Sequence, residues 1–240
     1  MTRGKFTNDT RKVYIGLPIM SLTSFEEVMC PCGEVFEAEL VSAVNAGQHP
    51  FLKDTLMSGG LNVVACPSCN TLFYAERFLL YIDLAEELVA FVYPKSYSDE
   101  SHQWQEKMHS DFEKARSLID ADEGNGGLEY PPVILFGMDS LVELLQKEQS
   151  ARDEIEMLEI ASAGKGNALS VLRLKPVVAR EMHLPPVLPR VKSDGNDLRK
   201  EVISGLEKLL EIFPDMEVFR GIYERIRKDD SFKINPGCLK

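Results

Sequence analysis

Four of the five cysteines fall in two short stretches, Cys30 and Cys32 in "VMCPCGEVF" and Cys66 and Cys69 in "ACPSCNTLF". Thiolate sulfur is a soft ligand, and Zn2+ takes four such ligands at the corners of a tetrahedron. A tight turn carrying two cysteines offers two sulfurs on one side, so two such turns from distant segments complete the set. Proline follows the leading cysteine of each pair, at Pro31 and Pro67, and presets the backbone φ of the turn. Gly33 and Asn70 follow the second cysteines, and these residue types tolerate a left-handed backbone. The first turn, CPCG, lacks the spacer present in CPSCN, so it must be tighter to chelate the same ion. Cys30, Cys32, Cys66 and Cys69 are therefore expected to bind structural Zn2+ in a closed site with no position for a catalytic water. Alternatives are a redox pair at Cys66 and Cys69, an iron–sulfur centre, and two unconnected pairs of buried thiols. Cys238, distant in sequence, is expected to be a free thiol.

Other residue types with catalytic potential are not arranged for catalysis. His49, His102, His109 and His183 are scattered, and neither HExxH nor an H-x-E partner to CPSC occurs. No phosphate-binding loop and no G-x-S-x-G is present. Glu143, Glu148, Asp153, Glu154, Glu156 and Glu159 crowd one predicted helix, as a solvated face or as a docking surface for a basic partner. "PPVLPR" offers a P-x-x-P-basic pattern at Pro186, Pro189 and Arg190.

The elements that must position the cysteines follow from periodicity. "EVFEAELVSAV" alternates apolar and polar residues, as a half-buried strand does. "KVYIGL" is a candidate strand before it, and "HPFLKDTLMSGG" a short helix begun by Pro50. "LNVVA" and "TLFYAE" flank the second pair as strands, and "FLLYIDL" and "ELVAFVYP" form a hairpin around Ala85 and Glu86. Residues 25–95 thus predict a small antiparallel sheet with the cysteines at its turns. The period then changes to helical: Trp104, Met108, Phe112, Ala115 and Ile119 mark one amphipathic helix. After a loop at "DEGNGGLEYPP", residues 137–166 predict two helices or one broken helix, capped by Asp139 or Ser140, and "NALSVLRLKPVV" a strand. Four prolines from Pro176 to Pro189 suggest a polyproline linker over 183–196. Beyond it, Leu198, Val202, Leu206, Leu209, Leu210 and Phe213 mark a helix stopped by Pro214, and "MEVFRGIYERIRKDD" a second. A lone helical hairpin cannot bury its own apolar stripe, so it must pack on the main domain or on a second chain.

The chain has 240 residues and a formal charge of −11. Residues 31–184 hold twelve Lys or Arg against twenty-five Asp or Glu. Nucleic-acid affinity comes mostly from phosphate neutralisation, so this acidity argues against a zinc-ribbon nucleic-acid binder. No apolar run approaches the ~18 residues of a membrane span, and no secretory leader is recognisable, so a reducing, cytoplasmic setting is expected.

Two CPxC-type turns, joined through a strand, "VNAGQHPFLKDTLMSGGLN" and another strand, resemble the CpXC domain. "PPVILFGMDSLVELLQKEQSARDEIEMLE" resembles the helical segment that follows in such proteins, so the resemblance covers roughly residues 25–165. The second turn fits fully and the first is one residue short. The resemblance implies a metal-binding domain of bacterial or archaeal proteins and no enzymatic activity. The expected architecture is α+β, a small antiparallel zinc-ribbon-like sheet with packed helices and a helical C-terminal tail. Its parts are a CpXC-like domain at 1–182, the linker at 183–196 and a helical hairpin at 197–240. The expected function is a non-catalytic, zinc-stapled interaction or regulatory module that binds a protein partner or self-associates through the C-terminal helices. A thiol redox enzyme or a metal-assisted hydrolase using the cysteine cluster is the alternative.

Overall fold

The computed structural model describes residues 21–120, 131–164, 168–193, 197–229 and 232–240. The predicted strand at "KVYIGL" and most of the loop at "DEGNGGLEYPP" lie outside them. Strands β1 (Leu22–Met29) and β2 (Val35–Asn45) form a long antiparallel hairpin with the first cysteine pair at its tip. Helix α1 (Pro50–Met57) follows, with Pro50 in its first turn, then the hairpin of β3 (Val63–Ala65) and β4 (Leu72–Tyr74), whose tip carries the second pair. Strands β5 (Leu79–Asp83) and β6 (Leu88–Tyr93) pair antiparallel around Ala85 and Glu86 as expected. Helix α2 (Ser101–Asp120), β7 (Val133–Phe136) and α3 (Met138–Ser162) complete this part. Helix α3 is one continuous helix rather than two, and it begins one residue before Asp139, with Gly137 at its cap.

The fold is α+β, with a small sheet, packed helices and two C-terminal helices. The pairing of the sheet corrects one expectation. Its order is β1-β2-β5-β6-β7, and β2–β5 and β6–β7 run parallel, so the sheet is mixed rather than antiparallel. Parallel neighbours need a long crossover. Here α1 and the β3–β4 hairpin carry the chain from β2 to β5, and α2 lies on the way from β6 to β7. The hairpin reading could not register β7, because its partner lies some forty residues upstream. β5 and β6 are buried on both faces, in keeping with their apolar runs, and the one charge, Asp83 at the end of β5, pairs with Lys53 at 2.9 Å. Leu141 and Leu145 of α3 and Leu56 of α1 cover one face, and Met108 and Phe112 of α2 cover the other.

The C-terminal part holds a second correction. Residues 187–191, expected within a polyproline linker, form β9 (Val187–Val191), paired antiparallel with β8 (Leu169–Arg173). Leu188 is fully buried. Pro189 lies opposite Val171, and a two-stranded sheet leaves β9 the free side that a strand proline requires. Arg190 also lies in this strand, so the P-x-x-P-basic pattern is not an exposed polyproline helix. Short α4 (Pro176–Glu181) links the two strands. Helices α5 (Leu198–Ile212) and α6 (Glu217–Lys228) bury Val202, Leu206, Leu209, Phe219, Ile222 and Ile226 against β8, β9 and Leu158 of α3. Their apolar stripe is thus covered by the chain itself. At Gly205 a Cβ would lie 2.5 Å from the backbone of Pro189 and Arg190, which is why only glycine lets α5 approach β9 so closely.

Candidate metal centre

Each cysteine pair sits in a knuckle whose hydrogen bonds follow one scheme at two lengths. In the second, Asn70 N donates to Cys66 O at 2.9 Å and Cys66 N donates to Thr71 O at 3.0 Å. In the first, Gly33 N donates to Cys30 O at 2.8 Å and Cys30 N to Glu34 O at 2.8 Å. Every partner in the first knuckle is one residue nearer, so the missing spacer shortens the turn without changing its plan. The residue after the second cysteine has positive φ in both, 94° at Gly33 and 57° at Asn70. That backbone reversal turns both sulfurs of a pair to the same side.

The two tips meet. All four sulfurs lie within 4.8 Å of one another. Cys30 Sγ is 3.7 Å from Cys69 Sγ, and Cys32 Sγ is 3.8 Å from Cys66 Sγ. Those distances are far beyond the ~2.05 Å of a disulfide. They match the edge of a tetrahedron built on Zn–S bonds of about 2.3 Å, which is near 3.8 Å. The leading cysteines Cys30 and Cys66 are buried, and the following ones, Cys32 and Cys69, are exposed. Cys238 lies outside this group and is a free thiol.

Cys30 and Cys69 are not equivalent as acids. The Thr71 hydroxyl, 3.2 Å away, and the Thr71 amide stabilise the Cys69 thiolate and bring its pKa down to about 6. At Cys30 the Cys32 amide pulls the same way, but burial and the neighbouring sulfurs prevail and push that thiol up to about 12. Burial and the neighbouring sulfurs thus oppose a negative charge on Cys30 unless a cation shares the space.

Residues that the sequence reading passed over hold the tips together. Asn62, itself at φ 58°, is buried; its Oδ1 accepts from Val41 N at 2.8 Å and its Nδ2 donates to Val41 O at 2.9 Å. One side chain thus docks the β3–β4 hairpin on β2 as an extra strand would. Arg77 Nε donates to Glu26 at 3.1 Å and its Nη2 to Glu27 O at 2.6 Å, tying β1 to the segment before β5. Val28, Leu40 and Ala75 are buried between the hairpins, and Phe36 and Phe73 meet edge to face at 6.2 Å. Asparagine after the glycine pair in "GGLN" was the available signal for Asn62, whereas nothing local marks Arg77.

The remaining candidate residues disperse. His102, His109 and His183 are exposed, and His49 packs against Phe51, away from the sulfurs. Among the described residues the four cysteines are the single group of metal-ligand type drawn together. The acids of α3 prove partly structural. Glu148 pairs with Arg180 at 2.6 Å, Glu159 with Arg173 at 2.6 Å, and Glu154 accepts from Val218 N and Phe219 N at the start of α6. Among the described residues no helix is long and apolar enough to cross a membrane.

The family model described as CpXC protein matches residues 28–157, from the end of β1 to near the end of α3. No curated protein and no solved structure matches.

Proposed function

We propose a function from one premise: the chain belongs to the CpXC family. On this reading Cys30, Cys32, Cys66 and Cys69 hold one Zn2+ as a closed structural site, and the protein is a non-catalytic module that acts by binding a partner protein. The ion supplies positive charge and four directional bonds that fasten the two hairpin tips. The protein does the rest: the knuckles aim the sulfurs, Asn62 and Arg77 fix the hairpins, and β1 and β2 are presented as an arm. The observation that carries this reading is the pair of sulfur separations, 3.7 and 3.8 Å across the two tips. Four sulfur donors leave no coordination position for water, which tells against metal-assisted hydrolysis. A reduced, cytoplasmic setting follows from the need for four free thiolates.

A thiol redox reading draws on a different observation, the exposed Cys69 with its lowered pKa. Elemental analysis of protein purified without added metal separates the two. The structural-zinc reading expects one zinc per chain and four thiols that titrate only after the metal is removed. A metal-free protein that forms a disulfide under mild oxidant contradicts it and supports the redox reading.

A further inference from the structure

The stretch from Ser21 to Asn45 contains five glutamates and no lysine or arginine. It forms the arm of β1 and β2, and β1 is the outermost strand of the sheet. Among the described residues no strand pairs with the outer side of β1. Cys30 N donates to Glu34 O, so by the alternation of an antiparallel ladder the even-numbered residues of β1 bond to β2. Thr23, Phe25, Glu27 and Met29 then turn their amides and carbonyls outward. Arg77 donates to Glu27 O, so this carbonyl faces away from β2 and is already held, with the outward groups of Thr23, Phe25 and Met29 on either side of it. An outward edge of this kind is a template for another strand.

The face above that edge has its own pattern. Phe25 is 64% exposed, Met29 70% and Val35 50%. Phe25 lies opposite Glu39, Glu27 opposite Glu37, and Met29 opposite Val35. Like charges directly opposite one another cost stability, and Glu27 and Glu37 are such a pair. Beside Met29 and Pro31 runs a groove of about 680 Å³ whose lining includes Tyr74, Glu76, Arg77 and Tyr97.

We infer that the outer edge of β1 takes up an extended segment of a partner protein as an added strand, with apolar and Lys or Arg side chains alternating along one face. This inference deepens the interaction-module reading and rests on it. The apolar side chains of the segment lie beside Phe25 and Met29, and its cation lies beside Glu27 and relieves the repulsion from Glu37. The partner is basic because the five glutamates of the arm outnumber the cation that reaches them among the described residues, Arg77 at Glu26, and four thiolates around a divalent ion add to that charge. A second copy of the chain does not suit this edge, because it would bring a second glutamate-rich β1 against the first.

The test uses the full chain, 15N-labelled and purified with its metal, titrated with a synthetic peptide alternating lysine and valine. Controls are the same peptide with glutamate for lysine, and one N-methylated along one edge. The expected result is shifts concentrated at the amides of Thr23, Phe25 and Met29. Affinity should exceed that of the glutamate peptide by about tenfold or more, as charge complementarity predicts. N-methylation should abolish binding, and Glu27→Lys with Glu37→Lys should weaken it about tenfold while amide dispersion is kept. Shifts confined to α3, equal affinity for both peptides, indifference to N-methylation, or a doubled mass from pairing of two chains would each overturn the inference. The zinc content of the same sample separates the two levels. Zinc-loaded protein that ignores the peptide overturns this inference alone, whereas protein without zinc overturns the stapled module and this inference with it.

Discussion

At the scale of single residues, the account turns on which sulfur is which. In the metal-free chain Cys69 is exposed, with its pKa near 6, so at neutral pH it is mostly thiolate. Cys30 is buried, with its pKa near 12, and stays protonated. Alkylation followed by peptide mass mapping should therefore modify Cys69 before Cys30. With zinc present all four should be protected while Cys238 still reacts. Lowering the pH toward 5 should slow Cys69 by roughly tenfold, because its thiolate is protonated as pH falls through 6. That these four cysteines belong together was legible in the sequence, since their spacing and flanking prolines are local. The supports were less so: Asn62 acts on Val41 and Arg77 on Glu27, and such long-range partners leave no periodic trace.

At the scale of elements, two junctions in the C-terminal part carry measurable stability. Glu154 of α3 accepts from the amides of Val218 and Phe219 and so caps α6 across 64 residues of sequence. Glu154→Ala should cost about 2 kcal/mol, the range of charge-assisted bonds to a helix start, read as a fall in the urea midpoint. Gly205→Ala should cost about 2 kcal/mol by overpacking α5 against the backbone of β9, with secondary structure retained by circular dichroism. The same region shows where sequence reading stops. Helices α5 and α6 were legible from a stripe repeated every three or four residues. Strand β9 was not, because Pro186 and Pro189 resemble a linker until β8 is known to lie beside them. The parallel pairing of β7 with β6 escaped for the same reason, since α2 lies between the two in the chain.

At the scale of the whole molecule, α3 is shared by two cores. Its first half supplies Leu141 and Leu145 to the sheet, and Leu158 near its end joins the cluster of β8, β9, α5 and α6. Arg180 fastens the C-terminal part to the sheet: it pairs with Glu148 and donates to the carbonyls of Glu86 and Glu87 in the β5–β6 turn. Arg180→Ala should cost about 3 kcal/mol, because Glu148 and two carbonyls lose their partner at once, and should broaden urea unfolding as the two cores uncouple. The cysteine tip lies at the start of β2 and the β5–β6 turn lies beyond its other end, so metal removal should melt the hairpins while leaving the α5–α6 cluster protected from hydrogen exchange. The central claim, that two separate tips close on one ion, is tested most directly by native mass spectrometry of the intact chain. The account predicts a mass of one chain plus one zinc, reverting to the bare chain in Cys66→Ser. A wild-type chain that carries no metal, or that has lost two protons to a disulfide among these cysteines, would contradict it.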